Sequence, residues 1–169
     1  DAYKDWKIRK YGFHGTSHRY VSGRVAEIMG KPIEDLKIIT VHVGNGSSIT
    51  AVQNGHSVDT TMGLTPLDGL VMGTRCGSID PSIIEFINKK TGWSIEEITK
   101  YLNKKSGMLG LNGGKTSDMR ENNTLIEQGD KGAKLFLDIL AYQIKKYIGA
   151  FAAAMGGVDA IAFTGGIGE

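Results

Sequence analysis

The sequence has a single cysteine, no long apolar run and no marked excess of either charge. Cys76 has no second cysteine with which to form an internal disulfide. No stretch approaches the roughly 20 apolar residues of a membrane-spanning helix, and no signal-like apolar segment opens the chain. With 20 basic and 18 acidic residues the formal net charge is +2, without the one-sign blocks typical of nucleic-acid or membrane-surface binding. We therefore expect a cytoplasmic protein with small-molecule partners, and no nucleic-acid or membrane partner.

Glycine is abundant, at 24 of 169 residues, about twice the roughly 7% of average proteins. The excess is concentrated in a few turns, where the lack of a side chain lets backbone amides approach a ligand closely. The length fits one domain, and 40% hydrophobic residues are enough for a core. The chain opens at Asp1 without a methionine and stops at Glu169 within the turn "FTGGIGE", so we expect a fragment of a longer protein.

Three strand-like runs lie between Lys37 and Met62, separated by the Asn-Gly pairs of "VGNGSS" and "QNGHS". Asn-Gly between apolar runs is the strongest short-range signal of a β-hairpin. The spacing therefore predicts a three-stranded antiparallel meander over residues 37–62.

Helix signals follow the meander. Asp80 can cap a helix that carries Ile83, Ile84 and Ile87 on one face and ends at Gly92. Ser94 and Glu97 form a capping box for the next helix. Apolar residues at helical spacing, from Leu135 to Met155, predict one long core helix over 131–155, and "VDAIAFT", 158–164, is predicted as a buried strand. Meander, helices and late strand indicate an α/β domain with a mixed sheet, whose ligands would bind at strand ends near Gly44 and Gly165.

The stretch "YGFHGTSH" places His14 and His18 four residues apart, and the apolar stripe Val21, Val25, Ile28 and Met29 predicts a helix that begins near Thr16 or Ser17. His14 then precedes a helix N-terminus, where free amides attract anions and disfavour a protonated imidazole. A zinc pair is disfavoured by Gly15 and by the lack of an intervening glutamate, and a Ser17 nucleophile lacks its strand-to-helix elbow. For an isolated pair, histidines that only cap and pad the helix remain the first interpretation.

Two further stretches carry candidate groups. The hairpin "HVGNGSS" exposes backbone amides able to cradle a phosphate, although most Asn-Gly hairpins are only hairpins. The long connection over residues 61–81 is too apolar for a disordered linker, and ordered loops of this length are usually functional. It contains Arg75, which in isolation would be read as a surface charge. "NGGKTSD" fails as a P-loop because Leu109 stands where the first glycine is needed, so Lys115 receives no role.

Taken together, these motifs resemble the acetokinase (acetate kinase) family. "YGFHGTSH", "HVGNGSS", "DTTMGLTPLDGLVMGTR", "SDMRE" and "FTGGIGE" occur in the family's order and cover essentially the whole chain. The resemblance implies a ribonuclease-H-like, actin-like or sugar-kinase ATPase fold built of two halves. Residues 1–169 would be a single nucleotide-binding α/β domain, the incomplete second half of a two-domain kinase.

The activity that the resemblance implies is reversible phosphoryl transfer from ATP to acetate, giving acetyl phosphate and ADP with Mg2+, in a homodimeric enzyme. It implies His14 and Arg75 as the catalytic pair, with His18 in a supporting position. The implied nucleotide-binding residues are His42, Val43, Gly44, Asn45 and Gly46 in the hairpin, Asp118, Met119 and Arg120, and Gly166, Ile167, Gly168 and Glu169 in the last turn.

The family's acceptor-side arginine, its catalytic aspartate and its metal-associated glutamate all lie outside these 169 residues. We therefore expect no metal ligand within the chain, and no turnover by the chain alone. The alternatives are a propionate or butyrate kinase, because the acceptor pocket belongs mainly to the other half, and a non-catalytic ATP-binding module of the same fold.

Overall fold

The computed structural model describes residues 1–168 and has a four-stranded mixed sheet at its centre. Strands β1 (Lys37–Val43), β2 (Ser47–Gln53) and β3 (His56–Thr60) pair antiparallel, which confirms the meander, although it ends at Thr60. Strand β4 (Ala160–Thr164) pairs parallel to β1, so the strand order is β3-β2-β1-β4. Because β1 and β4 are parallel, the turns that follow them lie at the same edge of the sheet.

Six α-helices occur within residues 1–168. They are α1 (Gly15–Met29), α2 (Ser82–Thr91), α3 (Ile95–Lys104), α4 (Gly107–Leu111), α5 (Met119–Glu127) and α6 (Lys131–Met155). Of these, α1 and α6 pack on the sheet. The predicted bounds of α6 and the capping box of Ser94 and Glu97 are confirmed. Helices α4 and α5 were not predicted, because one is a glycine-containing five-residue turn and the other has the weak helix formers Asn122, Asn123 and Thr124. Within residues 1–168 no helix combines the length and apolar character that a membrane span requires.

The two faces of the sheet are covered by different elements. Side chains alternate along a strand, so Ile39, Val41 and Val43 of β1 face one side, where they pack with α6 in the larger core cluster. Ile38, Thr40 and His42 face the other side, toward α1, where Ala26, Leu36, Ile38 and Val52 form a second cluster. The histidines of α1 and the polar residues of β1 and β2 therefore meet on the α1 face.

The prediction of a buried last strand was wrong, and the helices do not bury their apolar residues evenly. Strand β4 starts at Ala160, not Val158, and is an edge strand of the sheet within the described chain, with Phe163 52% exposed. In α1 the buried residues are His18, Ser22 and Ala26, whereas Ile28 is 77% exposed. In α6 Phe136 is buried while Leu135 is half-exposed, and in α2 Ile83 is exposed. Periodicity detects a helix, but the neighbour that it packs against decides which face is buried.

Candidate active site

The glycine turns after β1 and β4 are in direct contact. Gly165 adopts φ +86° and packs so closely on Val43 that an added Cβ would lie 2.6 Å from the Val43 carbonyl oxygen. The same carbonyl accepts hydrogen bonds from the amides of Ile167, at 3.0 Å, and Gly168, at 3.2 Å. The hairpin that follows β1 and the final turn therefore form one continuous wall, as the strand-end argument predicted.

An open pocket with a volume of about 540 Å³ lies against this wall. It brings together three of the predicted segments, the hairpin, the start of α5 and the final turn. Its lining residues are Gly44, Asn45, Ser117, Asp118, Met119, Arg120, Gly166 and Ile167. Ser117 was not predicted, and its position next to Asp118 is the only signal that could have suggested it. Glu169, which was predicted to bind nucleotide, lies outside the described residues.

Four other predicted residues do not line the pocket. Val43 is buried in the core, and its carbonyl is already bonded by the final turn. Gly168 anchors that turn through its amide. His42 stacks on the ring of His14, with 4.2 Å between ring centroids, and Gly46 lies beside His14 and Arg75. These residues shape the pocket's surroundings without forming its walls.

The wall formed by α5 carries a fixed charge pair. The Asp118 carboxylate caps α5 by accepting a hydrogen bond from the Arg120 amide at 2.8 Å, and the Arg120 Nη2 donates to it at 3.0 Å. These bonds to Arg120 lower the pKa of Asp118 to about 2 and raise the pKa of the Arg120 guanidinium. Both groups are therefore ionised at the pocket across the physiological pH range.

His14 lies immediately before α1, as predicted, in a left-handed conformation with φ 59°. Its Nδ1 lies 2.8 Å from Ser48 Oγ. Burial, with smaller contributions from His42 and Arg75, lowers the pKa of His14. The imidazole is therefore neutral at pH 7 and can donate one hydrogen bond without carrying a charge. The sequence argument attributed this neutrality to the helix N-terminus, whereas the structure gives burial as the largest cause.

Arg75 and His14 converge on the hairpin. A Cβ placed on Gly46 would lie 3.4 Å from Arg75 Nη1 and 3.4 Å from His14 Nε2. Arg75 Nη1 donates to the Pro66 carbonyl at 3.1 Å and lies 3.6 Å from Met72 Sδ. A permanent cation and a neutral imidazole thus flank one point of the hairpin, which is an arrangement suited to an anion.

Backbone bonds to the region around α4 hold the loop of Arg75. The Met108 amide donates to the Met72 carbonyl at 2.9 Å, and the Ser106 amide donates to the Thr74 carbonyl at 3.0 Å. Gly107, at φ +60°, packs directly on the Met72 carbonyl oxygen, which an added Cβ would overlap. Nothing in the sequence indicated this contact, since the two segments are more than 30 residues apart.

Asn45 joins the hairpin to the same loop. Its Oδ1 packs against Gly73, where it occupies the place that a Cβ would take. The Ser117 carbonyl oxygen lies 3.2 Å from the same position. Hairpin, Arg75 loop and pocket wall are therefore in mutual contact at Gly73.

His18 of α1 and His42 of β1 lie within hydrogen-bond distance of hydroxyl groups. Nδ1 of His18 lies 2.7 Å from Thr40 Oγ1 and its Nε2 lies 2.7 Å from Ser48 Oγ, so neither nitrogen is free for the zinc alternative. Burial, then the neighbouring His14 and His42, lowers the pKa of His18 to about 4. Ser17 Oγ lies 2.9 Å from His42 Nδ1, but in the first turn of a helix and not on an elbow. Across residues 1–168 no three His, Cys, Asp or Glu side chains are grouped to hold a metal.

Similar sequences are found along the whole chain. The acetate kinase of Fervidobacterium nodosum is 63% identical over 169 residues, which are all of this chain and 42% of that protein. The acetate kinase of Thermotoga maritima is 60% identical over the same length, again 42% of that protein. The chain thus spans about two-fifths of the length of these relatives.

Solved structures give the same picture. The Porphyromonas gingivalis acetate kinase superposes with a TM-score of 0.97 at 49% identity, over 100% of this chain and 42% of that one. A propionate kinase from Francisella tularensis superposes with a TM-score of 0.93 at 50% identity, over 99% of this chain and 43% of that one. The α/β fold is therefore that of these kinases, the actin-like ATPase fold. Because the model of the acetokinase family matches residues 1–169, the chain belongs to the acetokinase family.

Proposed function

We propose that the intact protein containing this chain is an acetate kinase, which transfers a phosphoryl group reversibly between ATP and acetate. The observation that carries the proposal is the convergence of His14 Nε2 and Arg75 Nη1 on Gly46, next to the pocket. The acetate kinases that resemble the chain along its whole length support the same reaction.

The pocket is proposed to hold ATP or ADP. Gly44 and Gly166 present backbone without side chains, so a phosphate can approach the backbone closely at both positions, although the Gly44 amide itself donates to the Gly46 carbonyl at 3.1 Å. Asp118, Met119 and Arg120 form the opposite wall and would contact the nucleoside. This orientation directs the terminal phosphate toward Gly46, where His14 and Arg75 meet.

The chemistry needs charge compensation more than proton transfer. Acetate is ionised at neutral pH, so no general base has to activate it. The barrier lies in bringing a carboxylate to an anionic phosphoryl group and in stabilising the charge that spreads over the phosphoryl oxygens. Arg75 supplies a permanent cation, and neutral His14 supplies a hydrogen-bond donor without a second charge that would repel the guanidinium.

Mg2+ is implied by the family resemblance, but the described residues do not form a site for it. In nucleotide enzymes this ion is bound mostly by water, by substrate phosphates and by one or two carboxylates. Residues 1–168 hold no cluster of acidic or histidine side chains at the pocket that would serve. We therefore derive no step through the metal.

The proposal extends to the setting of the intact protein. We infer that residues 1–169 form the incomplete second half of a two-domain kinase, and that the intact enzyme works as a homodimer in the cytoplasm on acetate and ATP. The missing half is proposed to supply most of the acetate pocket, so the chain alone is not expected to turn over.

Propionate kinase is the second candidate, because the Francisella propionate kinase is as similar to the chain as the Porphyromonas acetate kinase. A pocket that senses one methylene discriminates by only about 1 to 3 kcal/mol. The two functions therefore differ by one contact in the acetate pocket, which the other half of the intact protein is proposed to supply.

The test is to trap acyl phosphate with hydroxylamine, using the intact protein, ATP and each of acetate, propionate and butyrate. We expect the highest kcat/KM with acetate. A higher value with propionate or butyrate would reassign the acceptor. ATP hydrolysis that needs no carboxylic acid, with no acyl phosphate from any of the three, would instead indicate a non-catalytic ATP-binding module.

A further inference from the structure

A chain of hydrogen bonds runs from the interior of the sheet to His14. Thr40 Oγ1 lies 2.7 Å from His18 Nδ1, His18 Nε2 lies 2.7 Å from Ser48 Oγ, and Ser48 Oγ lies 2.8 Å from His14 Nδ1. Thr40, His18 and Ser48 are all buried. At its far end, His14 Nε2 lies 3.4 Å from the place that a Cβ on Gly46 would take, and Arg75 Nη1 lies 3.4 Å from the same place.

The hydrogen-bond chain has two arrangements in which every bond runs in one direction. A third, in which both imidazoles donate to Ser48 Oγ, leaves the buried Ser48 proton without an acceptor and costs free energy. A neutral imidazole has one donor and one acceptor nitrogen, and each hydroxyl donates one proton. If Ser48 donates to His14 Nδ1, then His18 Nε2–H donates to Ser48, Thr40 donates to His18 Nδ1, and His14 carries its proton on Nε2. If every bond is reversed, His14 carries its proton on Nδ1 and presents a lone pair at Gly46.

Thr40 decides between the two. Its hydroxyl is fully buried, and within residues 1–168 its only side-chain hydrogen bond is the one to His18. When each hydroxyl donates in the direction of His14, the Thr40 hydroxyl donates its proton to His18 Nδ1. In the reverse polarity that buried proton has no acceptor, which costs free energy. Arg75 Nη1 donates to Pro66 and makes no hydrogen bond to His14 in the described chain, so the reverse polarity gains no bond there to offset the lost Thr40 bond.

We propose that Thr40, His18 and Ser48 are positioning residues that hold neutral His14 in the Nε2–H tautomer, with its donor aimed at the transferring phosphoryl group. The inference rests on the proposed function, since it concerns how His14 serves phosphoryl transfer. None of the three lines the pocket proposed for the nucleotide. They set which nitrogen of His14 carries the proton, and so decide whether an anion beside Arg75 meets a donor or a lone pair.

The first experiment compares Thr40→Val, Thr40→Ser and Thr50→Val in the intact protein. Valine keeps the shape of Thr40 and removes the hydroxyl, whereas serine keeps the hydroxyl. Thr50 pairs directly with Thr40 across the β1–β2 ladder and bonds to Thr60, outside the chain of hydrogen bonds. We expect Thr40→Val to lower kcat about 10- to 100-fold, the usual cost of losing an outer hydrogen-bond partner of a functional histidine, with the KM for ATP little changed. Thr40→Ser and Thr50→Val should stay close to wild type.

The second experiment reads the tautomer directly. Nitrogen-15 spectra of the ring nitrogens of His14 in the intact protein should show the proton on Nε2 in wild type, and a mixture or a proton on Nδ1 in Thr40→Val. If the proton of wild-type His14 is found on Nδ1, the proposal is overturned, even if no variant folds. A Thr40→Val enzyme with the wild-type kcat overturns it as well. If the intact protein forms no acyl phosphate at all, the proposed function is wrong. The tautomer measurement on His14 still tests this inference separately.

Discussion

Arg75 is a permanently charged residue in the loop between β3 and α2. Its guanidinium donates hydrogen bonds to the Pro66 carbonyl and to the sulfur of Met72. Composition and spacing alone would read it as a surface charge, whereas the resemblance carried by "DTTMGLTPLDGLVMGTR" implied a catalytic role for it. What distinguishes it is its place beside His14 at the hairpin.

Replacing Arg75 tests this role. In the intact protein, Arg75→Ala should lower kcat for acyl-phosphate formation by on the order of 10³-fold, as for other cations that stabilise phosphoryl transfer. Arg75→Lys should recover only part of the loss, because an ammonium lacks the planar fork of the guanidinium. Arg24→Ala, which removes an exposed arginine paired with Glu27 on α1, is the control and should leave kcat unchanged. A near-native kcat for Arg75→Ala would remove Arg75 from the mechanism.

The buried His18 makes stability depend on pH. Its pKa is about 4 in the folded chain, against an ordinary value of 6.5, so the unfolded chain binds its proton first as the pH falls. Stability from neutral His18 is thus fully present above pH 6.5 and is lost between pH 6.5 and 4. Wild type should lose unfolding free energy in this window more steeply than His18→Gln, by up to about 1.4 kcal/mol per pH unit. Urea unfolding from pH 8 to 4.5 measures both slopes. Parallel curves below pH 6.5 would contradict the assignment.

At the scale of elements, the strong local signals predicted the structure well. The meander was found because two Asn-Gly turns specify hairpins, and α6 because its apolar period continues from Leu135 to Met155, just before Gly156. Helix α4 has no such signal, yet its N-terminus positions the loop of Arg75. The reason is a long-range contact: Gly107 lets α4 reach the Met72 carbonyl, which no local pattern encodes.

A pair of glycine substitutions isolates that contact. Gly107 and Gly113 both adopt positive φ, at +60° and +74°, so an alanine strains the backbone at either position by roughly 1 to 2 kcal/mol. At Gly107 the new Cβ also overlaps the Met72 carbonyl, whereas at Gly113 no atom lies within 4 Å. We expect Gly107→Ala to lower both thermal stability and kcat, and Gly113→Ala to lower stability slightly with kcat retained. Equal effects of the two substitutions would show that backbone strain, not the contact with Met72, is what matters.

At the scale of the whole molecule, the sheet separates two kinds of packing. One face is apolar and packs on α6, while the other carries the hydroxyl and imidazole groups that connect β1, β2 and α1. The outer edge of β4 is unpaired within residues 1–168, and Ile161 and Phe163 beside it are partly exposed. The chain spans about two-fifths of the length of its relatives.

The chain alone should therefore bind nucleotide weakly at best and form no acyl phosphate. Hydroxylamine trapping with ATP and acetate, carried out in parallel on residues 1–169 and on the intact protein at equal concentration, measures this directly. Product formed by the short chain at a rate within tenfold of the intact protein would place the acetate site within residues 1–169.

The sequence by itself determined the strands of the meander, the long helix, the capping box and the family, because each depends on residues close together in the chain or on motifs in a set order. It also placed His14 ahead of a helix and the glycine turns at strand ends. Only the tertiary structure decided that Ser48 and His18 form a hydrogen-bond chain with His14, that Arg75 meets His14 at Gly46, and which sides of α1 and β4 are covered. These outcomes depend on contacts between segments tens of residues apart, whose geometry is set by how the sheet and helices pack and not by any local pattern.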